Sequence, residues 1–338
     1  MIARLAALLL TLALAGPGTA ATAWVASTEI QLIDLDSGAV EGRLTLAGDQ
    51  VVREIAFDAA GRTAHVATMG GLFVVDGATL DVRARWSERP TASLSLAEPA
   101  GRLAALHLRP AGDALADREL GIPSTVTLQV YDLATGEPVA AAEVHGKPLR
   151  VALRSDGERI YVLDSNEARV SVYDGQARPL GEIDLAPDGD ATFLCTDLAL
   201  APDGRTLAVV RRTGSSAALL VVEPRDPVVE SRTRIEDLGG APRARGVAYS
   251  VDGAALYLSS IGHLARYDAD RPGAEWRDVG HQFSLVAASP DGRHVVMATP
   301  TFDEARGTGG LLVADADGNP LRVVELTGLS PYTLAIQP

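Results

Sequence analysis

Leu198-Ala-Leu-Ala-Pro-Asp-Gly-Arg-Thr-Leu-Ala-Val-Val210 is an apolar run, a Pro-Asp-Gly-Arg turn and a second apolar run. Asp-Gly between two such runs predicts a β-hairpin, because glycine takes the positive φ of a tight turn without steric cost. The unit recurs as Ile55-Ala-Phe-Asp-Ala-Ala-Gly61-Arg, Val151-Ala-Leu-Arg-Ser-Asp-Gly157-Glu, Val247-Ala-Tyr-Ser-Val-Asp-Gly253-Ala and Val286-Ala-Ala-Ser-Pro-Asp-Gly292-Arg. Leu94-Ser-Leu-Ala-Glu-Pro-Ala-Gly101-Arg repeats it with one extra residue. The turn glycines 61, 101, 157, 204, 253 and 292 lie 39 to 56 residues apart, close to the period of propeller blades.

Each hairpin is followed by a third strand ending in an acidic residue: Asp34, Asp76, Asp132, Asp174, Glu223, Asp268 and Asp315. A turn and a fourth, more polar strand complete the unit, giving strands a, b, c and d. Short alternating runs punctuated by turns indicate an all-β chain. Six a-strands precede the turn glycines, and a seventh, Leu334-Ala-Ile336, closes the chain without a partner after it. Trp24-Val-Ala-Ser27 has the converse lack: it reads as a b-strand with no a-strand before it. The expected fold is therefore a seven-bladed β-propeller, a single domain over residues 21–338, in which residues 328–338 complete the blade begun by residues 22–48. Such closure removes the exposed strand edges of an open array. The centre of every a-strand is small: Ala56, Ser95, Ala152, Ala199, Ala248, Ala287 and Ala335. Blades converge there, and a larger residue would overpack by about 1–3 kcal/mol.

Residues 1–20 read as an export signal peptide, with Arg4 in the n-region, an apolar run Leu5–Ala15 and a small-residue cleavage site Gly18-Thr-Ala20; cleavage after Ala23 is the alternative. No later segment has the roughly 18 unbroken apolar residues of a membrane helix, and no cysteine stands just after the cleavage point to carry a lipid anchor. The expectation is a soluble periplasmic protein. Acidic residues number 44 against 30 basic ones, for a net charge of −14. Such a balance repels phosphate backbones and argues against nucleic-acid partners. One cysteine, Cys195, rules out an internal disulfide.

The repeat breaks at particular connections. From turn glycine to acidic c-end the shortest interval is 15 residues, whereas Gly101 to Asp132 exceeds it by 16, Gly292 to Asp315 by 8 and Gly204 to Glu223 by 4. The extra residues fall between strands b and c, as 109–124, 300–309 and 211–217, and a further long connection, 186–196, joins d to a. In an antiparallel four-stranded blade both kinds of connection emerge on the same face. Elongated connections on a rigid scaffold are where binding resides. Their charged residues, Arg109, Asp113, Asp117, Arg118, Glu119, Arg211, Arg212, Asp303, Glu304 and Arg306, are the binding-face candidates, set against the plainer reading of solvated loop charge.

Chemistry-bearing motifs are otherwise sparse. The six histidines lie in separate places without metal-ligand spacing. Cys195 has no histidine nearby in sequence and reads as a structural thiol. Asp315-Ala-Asp317-Gly-Asn319 opens like a calcium loop but lacks the closing glutamate, and an Asx-turn accounts for it. Gly307-Thr-Gly-Gly310 precedes no helix and so makes no phosphate cradle. No nucleophile elbow is present. No metal, cofactor or catalytic residue is assigned.

Ala201-Pro-Asp-Gly-Arg-Thr-Leu207, Ser289-Pro-Asp-Gly-Arg293 and Arg159-Ile-Tyr-Val-Leu-Asp-Ser-Asn-Glu-Ala-Arg-Val-Ser-Val-Tyr-Asp174 resemble YVTN-type repeats. Within that superfamily, length and single-domain layout are similar to the propeller subunits of periplasmic amine dehydrogenases, the methylamine dehydrogenase heavy chain and the β subunit of quinohemoprotein amine dehydrogenase. The resemblance implies a cofactor-free propeller whose loop face cradles a small quinone-bearing subunit. Two classes of function stay open. One is a non-catalytic interaction scaffold or subunit that meets another periplasmic protein or a small ligand on the long-loop face. The other is a lactonase-like hydrolase whose active site is spread over several blades.

Overall fold

The computed structural model describes residues 21–46, 50–108, 126–186, 194–213, 216–226, 228, 231–238, 244–268, 273, 275–303, 308–327, 329 and 331–338. Within them the chain is a seven-bladed β-propeller. Blade 1 holds β1 (Thr22–Ala26), β2 (Glu29–Asp34) and β3 (Val40–Thr45). Blade 2 follows as β4 (Val52–Phe57), β5 (Thr63–Thr68), β6 (Gly71–Asp76) and β7 (Val82–Ser87), and blade 3 as β8 (Thr91–Ala97), β9 (Arg102–Leu108), β10 (Val126–Asp132) and β11 (Pro138–Val144). Blade 4 comprises β12 (Pro148–Leu153), β13 (Arg159–Asp164), β14 (Arg169–Asp174) and β15 (Pro179–Asp184). Blade 5 comprises β16 (Leu194–Leu200), β17 (Leu207–Thr213), β18 (Ser216–Glu223) and β19 (Arg232–Asp237). Blade 6 has β20 (Gly246–Tyr249), β21 (Ala255–Asp268) and β22 (Glu275–Gln282); blade 7 has β23 (Leu285–Ala288), β24 (His294–Asp303), β25 (Thr308–Asp315) and β26 (Pro320–Leu326). The last strand, β27 (Thr333–Gln337), pairs antiparallel with β1, Ala23 opposite Ile336 and Trp24 opposite Ala335.

The ring closes as the repeat count requires. The inner strands β27, β4, β8, β12, β16, β20 and β23 touch one another in a closed circle. Gln337 locks the seam, accepting a hydrogen bond from Trp24 Nε1 at 3.0 Å and donating to the carbonyls of Gly61 (2.6 Å) and Gly77 (3.1 Å) in blade 2. The apolar core is divided in the same way. Seven buried clusters each draw side chains from two adjacent blades, such as Leu163, Val170, Leu207 and Leu220 between blades 4 and 5.

The turn chemistry is visible atom by atom. All six a–b turn glycines sit at φ between +62° and +74°. The extra residue before Gly101 is taken up by a single 3-10 turn, Glu98–Ala100, which Gly101 ends in the left-handed conformation. An aspartate ending the c-strand caps the c–d turn in five blades, Asp34, Asp76, Asp132, Asp174 and Asp315: Asp76 Oδ1 accepts from the amides of Ala78 and Thr79, Asp132 from Ala134 and Thr135, and Asp315 from Asp317 and Asn319. These are the Asx-turns expected of short polar side chains.

Two local features differ from the repeat. In blade 6 strands b and c form one continuous element, β21, whose first part pairs with β20 and whose later part pairs with β22, with Gly262 at φ +76° between them. The expected loops 211–217 and 300–309 are largely strand, because the β17–β18 and β24–β25 hairpins run on to Thr213↔Ser216 and Asp303↔Thr308. Among the small a-strand residues Ala152 is buried and the others are half-buried. Ser95 does more than fit: its Oγ accepts the Leu153 amide of the next blade at 2.9 Å.

Candidate functional site

Two residues before the small position, each inner strand carries one equivalent residue: Glu54, Ser93, Arg150, Asp197, Gly246, Leu285 and Thr333. Five of these are polar, and the structure joins Glu54, Ser93, Arg150 and Asp197. In blades 2 to 5 the a–b ladder slips by one residue immediately before the position, between Val52 and Glu54, Thr91 and Ser93, Pro148 and Arg150, and Cys195 and Asp197. In β20, β23 and β27 the ladder begins at the equivalent residue itself, Gly246, Leu285 and Thr333. A bulge bends the strand and re-aims the next side chain. Here it precedes Glu54, Ser93, Arg150 and Asp197.

The re-aimed side chains satisfy the inner edge of the ring. Glu54 Oε2 accepts from Ser93 Oγ (2.5 Å) and the Leu94 amide (2.8 Å). Ser93 Oγ accepts the Val151 amide (3.0 Å), and Asp197 Oδ2 accepts the Val247 amide (3.0 Å). An edge strand otherwise exposes unpaired amides, so each side chain caps the inner strand of the following blade. Arg150 ties the set together: its Nε donates to Asp197 Oδ1 at 3.0 Å and its Nη1 lies 3.4 Å from Glu54 Oε1. Side-chain exposures of 24% for Glu54, 24% for Arg150 and 15% for Asp197 place the network beside the axial opening rather than in a sealed core. Burial pushes the Glu54 carboxyl above its ordinary range, against the pull of Arg150, Ser93 and the Leu94 amide. Burial acts to lower the Arg150 guanidinium, but Asp197 and Glu54 outweigh it and hold it firmly charged.

Beyond Asp197 the equivalent positions are Gly246 and Leu285, and a cavity of about 430 Å³ adjoins the network. Arg150, Asp197, Arg212, Arg245, Leu194 and Leu285 are among its lining residues. Gly246 is set by close approach, since a Cβ there would stand 2.7 Å from Ser259 Oγ and 3.0 Å from the Ser284 carbonyl. Because a-strands begin where d–a connections arrive, the cavity lies at the long-connection end of the axis.

Of the binding-face candidates, Arg109, Asp113, Asp117, Arg118, Glu119, Glu304 and Arg306 lie outside the described residues. Asp303 ends β24, paired with Thr308. Arg211 and Arg212 lie side by side on β17, so their side chains leave opposite faces of the sheet. Arg212 reaches the axial cavity. Arg211 is 7% exposed and donates to the Leu185 carbonyl at 2.6 Å, with burial lowering its pKa; it is an interior residue rather than a rim charge. Cys195 lies within β16 and not before it, buried at 1%, and burial pushes its thiol up to about 12. That fits a packed thiol and not a nucleophile.

The histidines also take structural places. His107 is fully buried between Thr91 Oγ1 (3.0 Å from Nδ1) and the Tyr131 hydroxyl (2.7 Å from Nε2). His65 packs on Trp86 with ring centres 4.9 Å apart. Burial depresses both to about 4. Among the described residues no group of three or more His, Cys, Asp or Glu is placed to hold a metal ion, and no helix is long and apolar enough to cross a membrane.

Loop lengths point to the elongated connections and not to the axial network. Its trace in sequence is a polar residue at one repeated position of an apolar strand: Glu54, Ser93, Arg150 and Asp197. No protein-family model matches the chain, and no curated protein matches it in sequence.

Proposed function

We propose that the protein is an exported, non-catalytic propeller that serves as an interaction scaffold, binding its partner on the long-connection face. The observation that carries this reading is the character of that face. Met69, Leu194 and Tyr332, exposed at 40%, 50% and 55%, stand at b–c or d–a connections on this side, beside a cavity edged by Arg212 and Arg245. Aromatic, methionine and arginine side chains are the residue types enriched where proteins meet. The YVTN-like repeats add the precedent of propeller subunits in periplasmic amine dehydrogenases, in which the loop face cradles a small quinone-bearing subunit.

Native purification from the periplasm, with mass spectrometry of what accompanies the protein, tests the reading. Leu194→Ser, Arg245→Glu and Tyr332→Ala together, all at exposed residues, are expected to release the partner while melting stays near wild type, since exposed substitutions alter stability by less than about 0.5 kcal/mol. Arg62→Glu, Arg205→Glu and Arg293→Glu, exposed after the a–b turns of the opposite face, are expected to retain it. Loss from the second set alone would move the interface to the other face. The same sample reports the N-terminus, expected at Ala21. Cleavage after Ala23 would strip Thr22 and the fully buried Ala23 from β1, together with the Ala21 carbonyl that accepts the Leu35 amide at 2.9 Å.

A further inference from the structure

Between blades 5 and 6, on the a–b turn face, lies a crevice of about 410 Å³. The buried Leu256 and Tyr267, with the half-buried Val221 and Tyr249, form its apolar part. Thr206, Glu223, Arg232 and Arg234 supply polar groups to the same space. The crevice between blades 3 and 4 on this face is lined almost wholly by polar residues, among them Arg102, Glu158, Arg159 and Asp174. Sequence accounts for part of the difference. The residue after the turn glycine is Arg62, Arg102, Glu158, Arg205 and Arg293 in the other five a–b turns, and Ala254 here. Ala254 lines the crevice, so this turn contributes a methyl group where the others hold a long charged side chain. The polar groups both donate and accept. Thr206 Oγ1 and the Tyr249 hydroxyl lie 3.1 Å apart, and their one shared bond leaves a hydroxyl hydrogen and lone pairs to offer. Arg232 and Arg234, two residues apart on β19, fall on one face of the strand. A guanidinium carries five N–H donors, so an arginine engaged by a carboxylate keeps donors for a ligand. Glu223, opposite Arg232 in the ladder and with Oε2 at 3.6 Å from Arg225 Nη2, adds acceptor oxygens.

We infer that this crevice is a binding site for a neutral carbohydrate, a pyranose unit whose C–H face lies on the apolar part while its hydroxyl groups bond the polar side chains. A charged ligand of either sign is disfavoured, because an anion would meet Glu223 and a cation would meet Arg232 and Arg234. A wholly apolar ligand would strip these side chains of water and return no hydrogen bond. A pyranose meets both demands, with C–H faces and hydroxyls that each donate and accept. The volume falls within the range of small-molecule sites, which combine apolar walls with a few placed polar groups. The site lies on the face opposite the long connections and does not rest on the scaffold reading.

Isothermal titration of the purified mature protein with glucose, galactose and N-acetylglucosamine tests it, alongside cellotriose and chitotriose. Cyclohexanol, a ring with a single hydroxyl, and the anion gluconate are the comparisons. At least one of the five sugars is expected to bind, with both comparisons weaker by about tenfold or more. A trisaccharide that binds more tightly than its monosaccharide assigns the site to a polymer end, and equal affinities assign it to a free sugar; both support the inference. Ala254→Arg is expected to abolish binding while melting stays near wild type, because four sister turns carry arginine at this place. Tyr249→Phe, which keeps the ring, is expected to weaken binding by about fivefold, and stands in should Ala254→Arg fail to fold. Arg62→Ala, on the same face in blade 2, is expected to leave binding unchanged. No binding of any of the five sugars, equal or tighter binding of cyclohexanol or gluconate, or unaltered binding in both Ala254→Arg and Tyr249→Phe would overturn the inference. Co-purification of a partner is a separate measurement, so the scaffold reading stands or falls apart from this site.

Discussion

Arg150 shows how one side chain can hold together strands far apart in sequence. Its guanidinium lies between Glu54 of blade 2 and Asp197 of blade 5, and these two carboxylates in turn cap the Leu94 and Val247 amides. Removing the cation leaves two carboxylates facing each other without compensation. Arg150→Met is expected to destabilise the protein by about 3 kcal/mol, the low end for breaking one partner of a buried pair, because water reaches the axis. Urea unfolding measures this. Adding Glu54→Gln and Asp197→Asn to Arg150→Met should restore part of the loss, since the amides keep an acceptor for Leu94 and Val247 while shedding the charge. A triple variant no more stable than Arg150→Met alone would show that the ion pairs do not set the cost.

At the scale of elements, β27 is the piece on which the architecture depends. It supplies the inner strand of blade 1, packs against β4 and β23, and through Gln337 reaches the turns of blade 2. Deleting residues 331–338 exposes an edge on β1 and opens the closed circle, and edges of that kind invite aggregation. The truncated chain is expected to be insoluble or rapidly cleaved by protease. Gln337→Ala should keep the ring but cost about 1–3 kcal/mol, because it leaves buried partners unsatisfied. Thermal unfolding of the point variant and limited proteolysis of the truncation check the pair; unchanged melting of the truncated protein would contradict closure by this strand.

The response of the whole molecule to acid follows from groups in different blades. His65 and His107 are held neutral, with pKa values near 4 against an ordinary 6.5, by burial between blades 2 and 3. The unfolded chain therefore binds protons that the folded one refuses between pH 6.5 and 4. Stability is full above about pH 6.5 and falls as pH drops through that window, by roughly 3 kcal/mol per histidine. The turn-capping aspartates act lower. Backbone amides hold Asp76 at about 2, and the Ser289 hydroxyl, Arg293 amide and Arg293 side chain outweigh burial to hold Asp291 there too, so their contribution is lost between about pH 4 and 2. Melting temperature is expected to decline in two stages on acidification. His65→Phe should remove about half of the upper stage without a polar penalty, since Nδ1 of His65 has no hydrogen-bond partner among the described residues. A pH–melting series on the two proteins gives the answer, and parallel curves would sink the assignment to His65.

The architecture was legible in the sequence because it is written in local chemistry that repeats. Each Asp-Gly turn needs a left-handed residue, five c-strands end on an aspartate that caps its own turn, and the unpaired strands at the two ends complement each other. Those requirements act within a few residues and survive any arrangement in space. The candidate site is of another kind. Glu54, Ser93, Arg150 and Asp197 are separated by whole blades in sequence and meet only when seven sheets close around one axis. Bulges that no residue type announces re-aim them, and strand alternation sends Arg211 into the interior while Arg212 meets the cavity. Tertiary structure decided these placements, because circular packing turns equivalent positions in a repeat into neighbours across an axis.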